Sequence, residues 1–452
     1  MKPLNIVYLH AHDAGTYIQP YGYAVETPHM QQFAEQGMLF RKAFSVNPTC
    51  SPSRACLLTG QAAHNNGMLG LAHRGGRLNN YEDTLIHFLK GHGLHTALSG
   101  IQHIAHEPYA PVEIIGYDEI LDQAVADDAG GTRRRYVEGS EGVTAAAEDF
   151  LARNHDKPFF LDVGYFPPHR IGEGDFPSDF DVPNPAYVRP PAHLPDTEET
   201  RQDFANYMAS VKTFDSYAGR VLEAIDRNGL AENTLVIATT DHGIAFPGMK
   251  CRLTDHGLNV MLMLRGPGGF EGGKITDEMV SHLDIFPTIC DVLGLPMPDR
   301  LEGQSLKVLA ENPHDSLHDC VFAEVNVHAA YEPMRAVRTK RWKYIRHLHP
   351  MDHVILPNVD NGLSKGYLCD HDWASRPPAT EELYDLLFDP TEACNLASQT
   401  ECAAVLDELR AKLDTWMLET DDPLLKGQLD LPDWVVTPAE AYSPSGGPRP
   451  VS

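Results

Sequence analysis

"LNIVYLHAHDAG" (residues 4–15) begins as a run of apolar and β-branched residues and then turns to His12, Asp13 and Gly15. A continuous apolar run of this length reads as a strand buried on both faces, as in a parallel sheet, with polar side chains delivered at its carboxyl end. The form recurs in "NTLVIATTDHG" (233–243), where Asp241 and His242 follow the run. Between them, helical and strand patterns alternate. "TPHMQQFAEQGMLF" (27–40) offers a cap-like Thr27, Pro28 at the first helical position and Gly37 as a stop, ahead of the strand "FRKAFS". "TLIHFLKGHGLHTALSGIQHIA" (84–105) and "AAAEDFLARNHDKPFFLDVGYFPPH" (145–169) repeat the alternation, and the amphipathic "FANYMASVKTFDSYAGRVLEAIDRNGL" (204–230) leads into the late strand. The expected fold is α/β, a large, mainly parallel or mixed sheet flanked by helices. Ligands of open sheets bind outside the carboxyl ends of the strands. His12–Asp13, His103, His169 and Asp241–His242 are therefore expected to meet at one edge.

Residues from about 170 to 203, dense in Pro, Gly and Asp, read as a long surface excursion able to wall a pocket. After "GQSLKVLAENPHDS" the pattern changes to strand-like pieces, "CVFAEVNVH", "MRAVRT" and "RWKYIRH". This predicts a main domain over 1–312 and a smaller α+β domain over 313–452 with an antiparallel sheet. Its helix, "ECAAVLDELRAKLDTWMLET", would put Val405, Leu406, Leu409, Leu413 and Trp416 on one face. The tail "AYSPSGGPRPVS" reads as flexible.

The 452 residues carry 36 Lys and Arg against 63 Asp and Glu, a formal charge of −27. So acidic a chain is a poor binder of nucleic acid or an anionic membrane, and any anionic ligand must be captured locally. No apolar run approaches the length of a membrane span. The first apolar run is too short for a signal-peptide core, and the eight Cys include no C-x-x-C pair. Reduced thiols and a cytoplasmic location are the expectation. A homo-oligomer remains open.

"PTCSPSRACLLTG" (48–60) places Cys50 at a helix start, with Ser51 expected as N-cap, Pro52 at the first helical position and Arg54 one turn in. Unpaired N–H groups and the positive end of the helix dipole make such a place suited to an anion. Cys50 is thus a candidate nucleophile, the alternative being a small buried thiol.

"CSPSRACLLTG" fits the pattern C-x-P-S-R with a short helix ending in Leu-Thr-Gly, and the chain resembles the formylglycine-dependent sulfatases of the alkaline-phosphatase-like superfamily. The likeness runs nearly end to end. "TPHMQQFAEQGMLFRKAF", "KPFFLDVGYFPPHR", "TDHGIAFPGMK", "LDIFPTICDVLGLP", "PMRAVRTKRWKYI" and "ELYDLLFDPTEACNLA" are most similar to the N-sulfoglucosamine sulfohydrolase (sulfamidase) branch. The resemblance implies that a separate formylglycine-generating enzyme oxidises Cys50. The hydrated aldehyde would then attack sulfur and later collapse to expel sulfate. Arg54 would hold it, His103 would act as general base, His169 as general acid, and Lys250 would grip the sulfuryl oxygens. Arg252 and His73, with Arg74 and His328, are further candidates for the substrate pocket.

The family's metal site pairs carboxylates from the first strand end with Asp-Asn or Asp-His from a late one. Here the residues matching it are His12, Asp13, Asp241 and His242, with Cys50 completing the set. Two imidazoles suit manganese, zinc or iron better than calcium, so a divalent transition metal is expected. His10 reads as a supporting donor. Asp255–His256, in a second D-H-G triplet, follows a weaker strand than Asp241–His242. Ile101 stands where the family has a lysine, and imidazole–metal chemistry or His106 is expected to compensate. The substrate implied is a small sulfated molecule, such as a terminal sulfated sugar. A phosphonate monoester hydrolase or phosphodiesterase with the same nucleophile is the alternative, and a non-catalytic binding protein is a third reading.

Overall fold

The computed structural model describes residues 3–121, 133–431, 433–447 and 449, with the side chains of 133–138 left aside. Its large sheet contains β1 (Asn5–Ala11), β2 (Met38–Phe44), β3 (His95–Gly100), β4 (Glu119–Ile120), β5 (Phe159–Gly164), β6 (Thr234–Thr240), β7 (Asn259–Val260), β8 (Leu262–Arg265) and β9 (Lys274–Ser281). The order is β4-β3-β5-β1-β6-β8-β2-β7, with β9 against β2. β1 lies between β5 and β6, parallel to both. The antiparallel β8 beside β6 makes the sheet mixed.

Side-chain alternation builds two cores from β1. Val7, Leu9 and Ala11 join the layer formed with the long helix Glu198–Arg227, whereas Ile6 and Tyr8 join the layer that includes Leu57 and Leu58 of the helix Cys50–Thr59. The long helix starts sharply because Thr197 and Thr200 form a capping box. Gly164, at the end of β5, has no side chain where one would meet the Ile101 carbonyl and the His10 ring.

The second sheet is an antiparallel meander of β10 (Cys320–Val327), β11 (Tyr331–Thr339), β12 (Trp342–His347) and β13 (Glu381–Asp385). One face packs Val325, Met334 and Ile345 on Phe44, Leu253 and Met279 of the large unit. The other takes the helix Ala403–Glu419 through Leu406, Leu409, Leu413 and Met417. Val405 and Trp416, expected on that face, lie at its margin because the stripe continues to Met417. The tail departs from the expectation of flexibility. Arg74 donates to the Pro444 carbonyl at 2.6 Å, Lys365 to that of Tyr442 at 2.6 Å, and Arg449 to Asp370 at 2.5 Å. Residues 448 and 450–452 of that stretch lie outside the described residues. All eight cysteines are free.

A buried charge network fastens the two units. Arg335 holds Asp422 with two donors at 2.6 and 3.0 Å and lies 3.5 Å from Glu324, all three side chains being fully buried. Glu324 accepts from His64 Nδ1 at 2.9 Å, and its own N–H donates to the Val46 carbonyl near the motif helix. Removing one partner of such a network strands a buried charge. Arg335→Leu is expected to lose about 3–5 kcal/mol of stability, read as a lower denaturant midpoint, with Arg335→Lys losing less.

Candidate active site

The helix that carries Cys50 begins two residues earlier than its sequence suggests. Thr49 is the N-cap, with extended φ −134° and ψ 145°, so Cys50 is its first residue and Pro52 its third. Ser51 is not the cap, and its hydroxyl instead accepts from the Ala72 N–H at 3.0 Å. The Thr49 hydroxyl donates to Asn47 at 2.6 Å and leaves the first turn without a side-chain cap.

Beside that turn, β1 and β6 deliver their polar ends. Asp13 takes the left-handed conformation, φ 49°, which ends the strand and aims its N–H at Asp241 Oδ1, 2.9 Å away. Cys50 Sγ lies 3.4 Å from His242 Nε2 and 4.0 Å from Asp13 Oδ1. Lys250 Nζ is 2.9 Å from Asp13 Oδ2, and His169 Nε2 is 3.9 Å from the same oxygen. Arg54 donates to Asp241 Oδ2 at 3.1 Å, to the Ala11 carbonyl at 3.3 Å and to His10 Nδ1 at 2.6 Å. His12 Nδ1 lies 3.0 Å from Asp241 Oδ2 but is out of line for a hydrogen bond.

Burial, opposed by Lys250 and reinforced by Asp13, pushes the Cys50 thiol well above its ordinary range. The thiol stays protonated near neutral pH and is a poor nucleophile as it stands. For Asp241 burial works upward, but His242, Arg54 and His12 outweigh it and hold the carboxyl well below the usual range. Burial, with Arg54, lowers His12 to about 3, and burial with the neighbouring imidazoles of His12 and His73 holds His103 well below its ordinary value. Both rings are neutral at working pH, with lone pairs to offer.

The donor set fits a cation. His242 Nδ1 gives its proton to the Gly243 carbonyl at 2.9 Å, so Nε2 turns a lone pair toward Asp13 Oδ1 at 3.3 Å. Two lone pairs at that distance call for a positive charge between them. His12, Asp13, Cys50 and His169 form one compact group of metal-type ligands, and Asp13, Cys50, Asp241 and His242 another. Asp13, Asp241 and His242, with the position of Cys50, are the residues that would hold the ion, and His12 joins Asp13 and Cys50 from the other group.

The other candidates are placed as follows. His103, with φ 56°, lies in the loop after β3, its Nε2 3.3 Å from Nδ1 of the exposed His73 and its ring 5.6 Å from that of His12. His169 donates from Nδ1 to the Arg170 carbonyl at 2.6 Å and keeps 23% side-chain exposure, at the mouth of the site. Arg252 is not brought to the cluster, because its guanidinium pairs with Glu332 at 2.8 Å and Glu382 at 3.5 Å in the second sheet. Asp255 pairs with Arg338 and Lys343, and His256 meets the Tyr17 hydroxyl at 3.1 Å, so this second D-H-G triplet is structural. At the family's lysine position, Ile101 presents no cation. Gln102 folds back on Ile104 and Ala105, and His106 bonds the Glu107 carbonyl. Asp360, 3.3 Å from Lys250, and the His10–Asp162 pair at 2.8 Å escaped the sequence reading. The apolar run ending at Gly164 contains Asp162, which was a signal for the latter.

The sulfatase family model matches residues 4–295, and that of the C-terminal region of N-sulphoglucosamine sulphohydrolase matches residues 249–361. The chain belongs to the sulfatase family. N-sulphoglucosamine sulphohydrolase of Homo sapiens is 30% identical, over 93% of this chain and 91% of that protein. Among solved structures, BT4656 in complex with its substrate D-glucosamine-2-N,6-O-disulfate superposes with TM-score 0.69 at 20% identity, covering 93% of this chain and 99% of the other. The phosphonate monoester hydrolase of Agrobacterium radiobacter gives 0.68 at 20% identity, covering 92% and 96%. The fold is alkaline-phosphatase-like, and this sulfatase is a hydrolase of sulfuric esters. Among the described residues, no helix is long and apolar enough to cross a membrane.

Metal added to chelator-treated protein is expected to raise its melting temperature, by the equivalent of about 2.7 kcal/mol when free metal stands near one hundred times its Kd. Asp13→Asn is expected to lose most of that gain, as read by thermal denaturation with and without metal.

Proposed function

We propose that this sulfatase removes an N-sulfate or O-sulfate from a small or terminal sugar, using formylglycine made from Cys50 by a formylglycine-generating enzyme and a divalent transition metal such as manganese or zinc. The observation that carries this reading is the setting of Cys50. Its thiol is fully buried and held protonated, yet it stands at an uncapped helix start among Asp13, His242 and Lys250. Such a thiol does little as a nucleophile but is well placed as a precursor. When in place, the hydrated aldehyde supplies an oxygen nucleophile and the metal polarises the sulfuryl group.

The chain's own residues do the rest. Lys250, held 2.9 Å from Asp13, brings an ammonium to the sulfuryl oxygens. His169, with Nδ1–H fixed on the Arg170 carbonyl and Nε2 directed to the site, gives its Nε2 proton to the departing nitrogen or oxygen. His103, neutral through burial, takes up the proton whose loss frees sulfate. Arg54 anchors Asp241 and so keeps the metal group and the motif helix in register. The N-sulfated sugar is favoured by the relative in Homo sapiens and by the match of its C-terminal region. The Asp241–His242 pair and the likeness to a phosphonate monoester hydrolase keep that chemistry as the second reading. The free thiols suit a reducing compartment such as the cytoplasm.

Protein co-produced with a formylglycine-generating enzyme is expected to show the aldehyde in the Cys50 peptide by mass spectrometry, and to hydrolyse glucosamine 2-N-sulfate or 6-O-sulfate faster than a phenyl phosphonate monoester. Cys50→Ala is expected to be inactive on all of them. A faster phosphonate reaction would favour the second reading. His169→Ala is expected to lose about 10²–10⁴-fold in kcat on sugar substrates, and much less on an aryl sulfate whose leaving group needs no proton.

A further inference from the structure

Lys250 has two carboxylate partners, and they come from different units. Asp13 follows β1, whereas Asp360, 3.3 Å from Lys250 Nζ, lies between β12 and β13 of the second sheet. The Asp360 side chain keeps 16% exposure and that of His169 keeps 23%, while Lys250 and Asp13 are closed over. Asp360 and His169 are therefore the members of the group around Lys250 that reach solvent. Burial would raise the Asp360 carboxyl, but Lys250, His169 and His328 outweigh it and keep it an anion.

His328 adds a second polar group to the same side. It is 6% exposed, its Nδ1 has no hydrogen-bond partner, and it lies within electrostatic reach of Lys250 and Asp360. Its turn is built rather than loose. Asn358 accepts from the N–H groups of Ala329 and Ala330 at 3.0 and 2.8 Å and donates to Glu332 at 2.9 Å. On the other side of Asp360, Lys365 donates to the Val359 carbonyl at 2.8 Å and to Asn361 at 3.0 Å. The backbone segments that carry the two side chains are thus held to one another.

We propose that Asp360 and His328 form a selectivity wall that takes the hydroxyl groups flanking the scissile sulfate of a sugar and rejects a second anion at those positions. This rests on the sulfatase reading and names the substrate class for it: sugars singly sulfated around the reacting group. A carboxylate accepts hydrogen bonds and donates none, so Asp360 pairs with a hydroxyl or an ammonium. A sulfate or carboxylate beside it is a like charge in a partly dehydrated site, a costly juxtaposition. Lys250 does not relieve that cost, since Asp13 and the reacting sulfate already share it.

The experiment uses the converted enzyme and two substrate pairs: glucosamine 2-N-sulfate with its 2-N,3-O-disulfate, and glucosamine 6-O-sulfate with its 4,6-di-O-sulfate. For the pair that is cleaved, the wild type is expected to favour the singly sulfated member in kcat/KM. Asp360→Asn is expected to narrow that preference by about tenfold, chiefly through KM for the disulfated member, and Asp360→Glu to restore it. The wild-type preference is also expected to shrink between about 0.05 and 0.5 M salt, a readout that needs no variant. A wild-type preference absent, or unchanged within twofold in both Asp360→Asn and high salt, overturns the wall while leaving the sulfatase reading intact. Cleavage of none of the four sugars by protein shown to carry formylglycine overturns that reading, and the wall falls with it.

Discussion

Asp241 is the charge around which the site is assembled. A lone buried carboxylate is costly, so the chain must bring donors to it. Oδ1 accepts the N–H groups of Asp13 and His242 at 2.9 and 3.0 Å, which locks the ends of β1 and β6 together. Oδ2 takes Arg54, which fixes the motif helix against both strands. The constraint then propagates. Arg54 donates to His10 Nδ1, so the His10 proton sits on Nε2 and faces Asp162 at 2.8 Å. Asp162 also accepts the Tyr117 hydroxyl at 2.5 Å, which carries the network across β5 to the loop beyond β3.

That arrangement settles the charge of the pocket. Asp13, Asp241 and Asp360 face Lys250 and Arg54, and burial keeps His12 and His103 neutral. A divalent cation added to that set turns the site positive, which is what an anionic substrate needs inside a chain of formal charge −27. Where relatives of the family place a lysine, this chain has Ile101, and the space near His103 belongs to imidazoles. His12, His103, His73 and His106 approach one another with ring centroids 5.6 to 5.9 Å apart. The neutral rings of His12 and His103 add polarity there without adding a further fixed charge.

The strand ends were legible because their signal is local. An apolar run that stops at His12–Asp13 or Asp241–His242 states both its element and where its polar groups emerge, and the parallel pairing of β1 with β5 and β6 follows from that pattern. The second sheet, the long helix and the apolar stripe of the C-terminal helix were legible for the same reason. What sequence could not disclose were pairings between distant segments. Ser51 looks like a cap until Thr49 is seen to hold the extended backbone. The Pro- and Gly-rich tail lacks any period, yet Arg74 and Lys365 hold it through its carbonyls. Asp360 sits in "LPNVDNG", a stretch with no strand-end signature, and gains meaning only from Lys250, far away in the chain.

Arg252 shows how these distant pairings serve the site. It was a candidate for the substrate pocket, but its guanidinium reaches Glu332 on β11 and Glu382 on β13. It therefore clamps the loop carrying Lys250 to the second sheet. Glu332 in turn accepts from Asn358, two residues before Asp360. The separation of Lys250 from Asp360 is thus set by a short path, Arg252 to Glu332 to Asn358, made of charged and amide groups that are each already satisfied. A group held by such a path cannot follow the motion of one unit without the other. The second sheet is part of the active site: the strand ends of the first unit supply the reacting groups, and the second fixes the wall they face.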